Sequence, residues 1–406
     1  MIWKFNHANP MTDTPWLAIS IFLSACITQT TLQAAPAGGN VISGAATIGI
    51  DPADATRTII NQSSQNTAID WDSFNIGVNE SVVFTQPNAN AIALNRDFSG
   101  SPSQIFGSLD ANGNVFLLNT AGVLIGSSAS INVGGLLISD MVTSDNDSQN
   151  FEITASQQNW SLPFSDADLN AGGIQVLGSI QTTGQNGITL TGQYIYIEGD
   201  ITSIGAANDP GGNITMFAAG STVLVTDPSG LYGVEITAPV TSLLANVNDP
   251  LQIQDILFEI PVSAPDASVL AVNGNINIEV AYDASLPVGD GTVDRPGIDY
   301  ASQTISTIGD GGQPIRIVST AVDLSTNEID SDTVDDLDNT ITDSLTEESE
   351  DTESGLLGDN ASNNKGSLDN IMENCVPKDQ SDKDCIRQNA IKQYLGKLLI
   401  GGTLPD

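Results

Sequence analysis

The sequence predicts an all-β protein: a right-handed parallel β-helix, or solenoid, followed by an acidic linker and a small helical C-terminal module. Three observations carry the prediction. From Gly172 onward a unit recurs in which Gly, Asn or Asp precedes an Ile that opens a short strand. Ile174-Gln175-Val176, Ile188-Thr189-Leu190, Ile201 and Ile214-Thr215-Met216 begin 14, 13 and 13 residues apart, and Asn275-Ile276-Asn277-Ile278 repeats the unit later. Alternation of inward apolar and outward polar positions is the period of a half-buried strand. A turn residue that restarts it every few positions gives stacked coils of roughly 20 residues with two or three strands each. Composition agrees. Aromatic residues make up 5% while Gly numbers 38, which suits a narrow core of Ile, Val and Leu with tight corners. Gly and Asn serve such corners because they tolerate positive φ. Asn112-Gly113 and Asn186-Gly187 would also permit hairpins, and a sandwich built from hairpins is the competing architecture.

The elements follow in order. Residues 1–34 read as a signal peptide. Trp16 to Cys26 is an apolar stretch too short to span a bilayer, and Leu32-Gln33-Ala34-Ala35-Pro36 offers small residues for cleavage. Lys4 and His7 lead it, Met11 is an alternative start, and Leu23-Ser24-Ala25-Cys26 resembles a lipobox, so lipoprotein processing at Cys26 stays open. Residues 35–145 form the first block of the β-helix, with compact strands at Ser81-Val82-Val83-Phe84 and Val115-Phe116-Leu117-Leu118. Residues 146–322 continue it.

Residues 323–366 change character. Fourteen Asp and Glu lie from Asp323 to Asp359 without a Lys or Arg, so the segment has too little apolar surface to offset its ordering entropy and is expected to be a self-repelling, disordered linker. Asp330, Asp332, Asp335 and Asp336 are close together, but the Gly and terminal Glu of an EF-hand loop are missing. Residues 367–406 form the helical module, with Ile386, Ala390, Tyr394, Leu395 and Leu398 at helical spacing. Cys375 and Cys385 read as a disulfide in an exported chain. Such a bridge would stabilise by about 2–3 kcal/mol in the chain-entropy account; a pair of free thiols is the alternative.

Charge and residue types exclude several function classes. The net charge is −38, and between Ala35 and Asn364 the only basic residues are Arg57, Arg96, Arg295 and Arg316. Nucleic acid needs clustered Lys and Arg, so it is not an expected partner. Cleavage near Ala34 removes the only histidine, His7. Ser-His-Asp and Cys-His catalysis then lack their base, and histidine-ligated zinc has no ligand. Neither a cofactor nor a metal is expected, and the chain reads as a non-enzyme. Carboxylate chemistry of the glycosidase kind stays formally open.

Several blocks between Gly38 and Asp140 carry a family likeness. They are Gly38-Gly39-Asn40-Val41-Ile42-Ser43-Gly44, the run from Ile60 to Gly77 through Asn66, Trp71 and Phe74, the run from Phe84 to Arg96 through Gln86 and Asn95, Gln104-Ile105-Phe106-Gly107, and Gly113-Asn114-Val115-Phe116-Leu117-Leu118. They lead into Asn119-Thr120-Ala121-Gly122-Val123. This succession resembles the secretion domain of two-partner secretion exoproteins of the filamentous haemagglutinin type. The family signature there is Asn-Pro-Asn-Gly-Val; Asn119, Gly122 and Val123 match it, and Thr120 and Ala121 depart from it. The resemblance implies a secretion motif at Asn119, Gly122 and Val123. It further implies export through the periplasm of a Gram-negative bacterium, by way of a cognate outer-membrane β-barrel transporter with periplasmic recognition domains. The product would be secreted or held on the outer cell surface, adhesin-like, with a host-surface or polysaccharide ligand. A structural matrix component, or a carboxylate-dependent polysaccharide-active enzyme, are the alternatives.

Overall fold

Three parallel sheets carry the chain, and each regular coil visits them in the same order. The computed structural model describes residues 35–165, 172–206, 212–227, 230–241, 261–264, 266–288, 296–300, 305–309, 314–324 and 328–330. One complete coil comprises Ser103–Ile105 in a six-stranded sheet, Ser108–Ala111 in a nine-stranded sheet and Asn114–Leu118 in a ten-stranded sheet. The next repeats it with Val123–Ile125, Ser130–Val133 and Gly135–Ser139. Parallel pairing runs from coil to coil: Val123 sits against Ser103, Ile131 against Leu109, and Leu136 against Val115. This is the parallel β-helix that the recurring unit predicts. Asn112-Gly113 is a corner between two sheets, joining Ser108–Ala111 to Asn114–Leu118, and not a hairpin.

Inward positions form continuous apolar columns. On the nine-stranded sheet Val82, Leu109, Ile131, Ile180, Ile201, Val269 and Ile305 stack in register. On the ten-stranded sheet the column runs Ala93, Val115, Leu136, Ile188, Ile214, Ile276 and Ile315. β-branched residues fit because each packs on a like neighbour along the pleat. Burying one such side chain contributes about 1.5–3 kcal/mol, so the columns are the main favourable term.

The open N-terminal end of the stack is closed by antiparallel pairing. Asn40–Ser43 lies on Asn66–Trp71, and Ala46–Asp51 folds back on Asp54–Gln62. These strands cover the first coil, whose core is wide enough for Trp71 and Phe74, edge to face at 5.4 Å. A paired edge is a protected edge.

Two excursions leave the coil. After Ser139 the chain forms the short helices Asp145–Gln149 and Phe151–Thr154 and the strand Ser161–Ser165; after Ala218 it forms the hairpin Ser221–Thr226 and Tyr232–Ala238. The excursions join, Ser161–Ser165 pairing antiparallel with Ser221–Thr226. They cover the outer face of the ten-stranded sheet with a second core that includes Leu94, Phe116, Leu118, Leu137, Phe151, Trp160 and Phe164. Asn114–Leu118 is therefore buried on both faces, which explains its unbroken apolar run. The flexible segment expected from Asp323 begins instead with paired backbone. Ile315–Asp323 is a strand of the ten-stranded sheet, and Glu328–Asp330 turns back antiparallel onto its end. The rest of the linker, the C-terminal module with Cys375 and Cys385, and the leader with His7 and Cys26 lie outside the described residues.

Candidate functional site

The residues of the expected secretion motif meet at one corner, between the ten-stranded and six-stranded sheets. Asn119 follows the strand Asn114–Leu118 and is 1% exposed. Its side chain works on two sides. The Nδ2 donates to the Ser101 carbonyl and to Ser103 Oγ, both at 2.9 Å, and the Oδ1 accepts the Ala121 N–H at 2.9 Å. The first two contacts tie it to the preceding coil; the third closes its own turn. Its backbone N–H donates to Ser139 of the following coil at 3.0 Å, and its carbonyl accepts the Gly122 N–H at 2.9 Å. An amide is the one side chain of this length that supplies both donors and an acceptor here.

Gly122 takes φ +101°, and a Cβ built there would lie 2.7 Å from the Gly172 carbonyl carbon and oxygen. Gly172 in turn has no room for a Cβ, which would approach the Ala121 carbonyl oxygen to 1.7 Å. Glycine is thus required twice, by conformation and by the close approach of two coils. Val123 opens the next strand, buried, pairing with Ser103 on one side and Ile174 on the other.

The corner continues upstream through Asp97 and Ser103, which the sequence does not single out, to Phe74 in a family-like block. Ser103 Oγ donates to Asp97 Oδ2 at 2.5 Å, and the same carboxyl accepts the Phe74 N–H at 2.8 Å and, through Oδ1, the Ser99 N–H at 2.8 Å. Phe74, Asp97, Ser103 and Asn119 therefore form a hydrogen-bonded relay across successive coils. A second amide ladder stands at the corner between the nine- and ten-stranded sheets. Gln62 Nε2 donates to the Ile92 carbonyl at 3.0 Å, while Gln86 Nε2 donates to Gln62 Oε1 at 3.1 Å and its Oε1 accepts the Gly113 N–H at 2.9 Å. The only sequence signal for it is Gln recurring 24 residues apart, at Gln62 and Gln86.

Arg96, one of four basic residues in the body of the chain, is buried between coil and excursion. Its guanidinium is bidentate to Asp70, Nε and Nη2 at 2.8 and 2.9 Å, and Nη1 donates to Asp145 at 2.9 Å. Phe98 lies under it at 5.0 Å. Burial by itself lowers its pKa, but the hydrogen bonds it donates to Asp70 and then Asp145 outweigh that and hold it above its ordinary value. Asp145 opens the helix Asp145–Gln149, capped by Ser144 Oγ on the Asp147 N–H. The ion pairs thus pin the start of the first excursion to the coil. Among the described residues no group of three His, Cys, Asp or Glu side chains is arranged to hold a metal ion.

All three motif residues face inward in the folded chain, so as folded they shape a corner and present no side chain to a partner. Comparison with known proteins bears on what the corner belongs to. A family model for the TPS secretion domain matches residues 32–257, more than half of the chain and both excursions. A heme/hemopexin-binding protein of Haemophilus influenzae (strain ATCC 51907 / DSM 11121 / KW20 / Rd) is 42% identical over 121 residues, 29% of this chain and 13% of that protein. A second heme/hemopexin-binding protein of Haemophilus influenzae is 48% identical over 91 residues, 22% of this chain and 10% of its own length. The chain thus spans only a small part of the curated relatives it matches. Among solved structures, the HMW1 secretion domain from Haemophilus influenzae is 26% identical with a TM-score of 0.48, over 70% of this chain and 62% of that one. The filamentous hemagglutinin secretion domain is 10% identical with a TM-score of 0.34, over 70% and 99%.

Proposed function

The chain belongs to the TPS secretion-domain family, and from that premise we propose that it is the exported member of a two-partner secretion pair. It crosses the inner membrane on the leader that ends near Ala34, travels unfolded through the periplasm, and passes outward through a cognate outer-membrane β-barrel transporter. Outside, it folds as a β-helix and acts as an adhesin-like surface or secreted protein, without catalysis. The observation that carries this reading is the coil-to-coil closure of the Asn119 corner, which ties Ser101, Ser103 and Ser139 across three coils. Each coil completes its hydrogen bonds only when its neighbour is present, so folding that starts at the capped N-terminal coils extends coil by coil in the order in which the chain emerges. Asn119, Gly122 and Val123 then have two roles in sequence. In the unfolded chain they are a candidate segment for the transporter's periplasmic domains; once outside they close the corner.

The heme and hemopexin binding for which the Haemophilus relatives are named belongs to those proteins, which match this chain over 121 and 91 residues. Fractionation of cells with and without the candidate transporter is the test. With the transporter present, the chain is expected in the medium or on the outer surface; without it, in the periplasm or degraded. Unchanged surface display without the transporter would overturn the proposal.

A further inference from the structure

Where the two excursions meet the coil corners they leave a cleft of about 280 Å³. It sits between the end of the helix Phe151–Thr154, the turn of the hairpin after Thr226, and the corners at Gln65 and Asn186. Eight of its fifteen lining residues are Asn or Gln, and none is Lys or Arg. The single carboxylate, Asp227, has one oxygen engaged by the Leu231 N–H at 3.0 Å. Two aromatic residues complete the lining. Trp160, 8% exposed, packs edge-on against Phe151 at 6.0 Å and against Tyr232 at 6.1 Å.

Several polar groups on this lining lack a protein partner among the described residues. The Trp160 indole N–H and the Tyr232 hydroxyl have no hydrogen-bond partner among the described residues, and neither is a buried unpaired atom, so both remain available to a ligand. Asn186 Oδ1 is buried and unpaired, while its Nδ2 reaches Asn114 at 3.4 Å. A buried polar atom left unpaired is costly, and a ligand that pairs it gains that cost back.

We propose that this cleft is a binding site for a neutral saccharide. A sugar hydroxyl both donates and accepts, and an amide side chain offers both partners on one plane. Free donors on Trp160 and Tyr232 and a free acceptor on Asn186 match vicinal hydroxyls. An anionic ligand finds no cation here and meets a chain of net charge −38. An extended peptide needs a long groove or a sheet edge, whereas this half-open cleft is short, its volume just under the about 300–1,000 Å³ of ligand sites, and suits one or two pyranose rings. The site names the ligand class for the surface-binding function proposed above and rests on that reading for its setting. Binding is measured on purified folded protein, so failure of export and failure of binding are read separately.

Saturation-transfer NMR on the full chain with glucose, galactose, N-acetylglucosamine and lactose tests it. Glucuronate and a neutral Asn/Gln-rich hexapeptide serve as competitors of other classes. At least one neutral sugar is expected to give saturable transfer. Asn90→Ala and Gln158→Ala change exposed lining residues; each should weaken that binding about fivefold with an unchanged circular dichroism spectrum. No saturable transfer from any of the four sugars, equal binding by both variants, or transfer only to the glucuronate or the peptide would overturn the proposal.

Discussion

The first coils and the last are built on the same columns but differ in how they are told apart. Up to Asp140 the interior holds Gln62, Gln86, Asn95, Arg96, Asp97, Ser103, Asn114 and Asn119, each buried. From Val262 onward Ser263 is the one buried polar residue among those described, and stacking of Val262, Val269, Ile276, Ile298 and Ile305 does the rest. Apolar columns are tolerant: one Ile packs on another at almost any coil. Hydrogen bonds are directional, so a slip of two residues, which keeps the apolar positions facing inward, would still strand these polar groups without partners. The N-terminal block therefore specifies a single register, and the later coils inherit it from the coil before. For a chain that folds as it emerges, that is the useful arrangement.

Comparing two glycines tests this division most severely. Gly122 and Gly100 both have positive φ, but a Cβ at Gly100 meets nothing within 4 Å. Gly100→Ala should cost about 1 kcal/mol through backbone strain alone. Gly122→Ala should cost about 4 kcal/mol or more because Gly172 must move as well, with export falling in parallel. Urea unfolding of the purified variants measures both; equal losses would show that the back-to-back approach of the coils is unimportant.

Arg96 comes next. Arg96→Met removes the partner of a mostly buried Asp70, and about 3 kcal/mol is expected to be lost. Limited proteolysis should then cut first within the excursion around Asp145. Cutting elsewhere would deny that this ion pair pins the excursion. Asn119→Asp keeps the turn acceptor but loses the donors to Ser101 and Ser103 and sets a second carboxylate near Asp97. A loss of about 2–3 kcal/mol is expected, recovered in part as pH falls and the new carboxylate is protonated. A pH-independent loss would argue against the relay.

In the last coils Ile305→Ala should cost about 2 kcal/mol by leaving a cavity, yet the damage should stay local. Hydrogen exchange is expected to quicken in Ile298–Tyr300 and Ile315–Asp323 and to leave Asn114–Leu118 unchanged. Simultaneous loosening of the first block would contradict its independence. The smallest effect is expected from Cys375→Ser with Cys385→Ser, within about 0.5 kcal/mol for the β-helix. Mass spectrometry of the exported protein under non-reducing conditions reads the proposed bridge directly, and two alkylatable thiols would remove it.

The sequence by itself determined the coil, the strands and one corner. Alternation at Ile174-Gln175-Val176 or Ile188-Thr189-Leu190 is a local property, since inward and outward positions follow from the pleat alone. Asn119 and Gly122 were legible as matches to a family signature, and Asn and Gly are residues that corners favour. The tertiary structure alone decided what those elements meet. The pairing of Ser161–Ser165 with Ser221–Thr226 joins two segments of unlike pattern far apart in the chain, and no period announces it. The second core turns the outward-facing Phe116, Leu118 and Leu137 into buried positions only because the excursions cover them. The Asp97–Ser103–Asn119 relay, the Arg96 pairs and the amide-lined cleft depend on groups that come close only after coils have stacked. Local alternation fixes which way a side chain points; which groups it reaches is set by long-range closure of the chain.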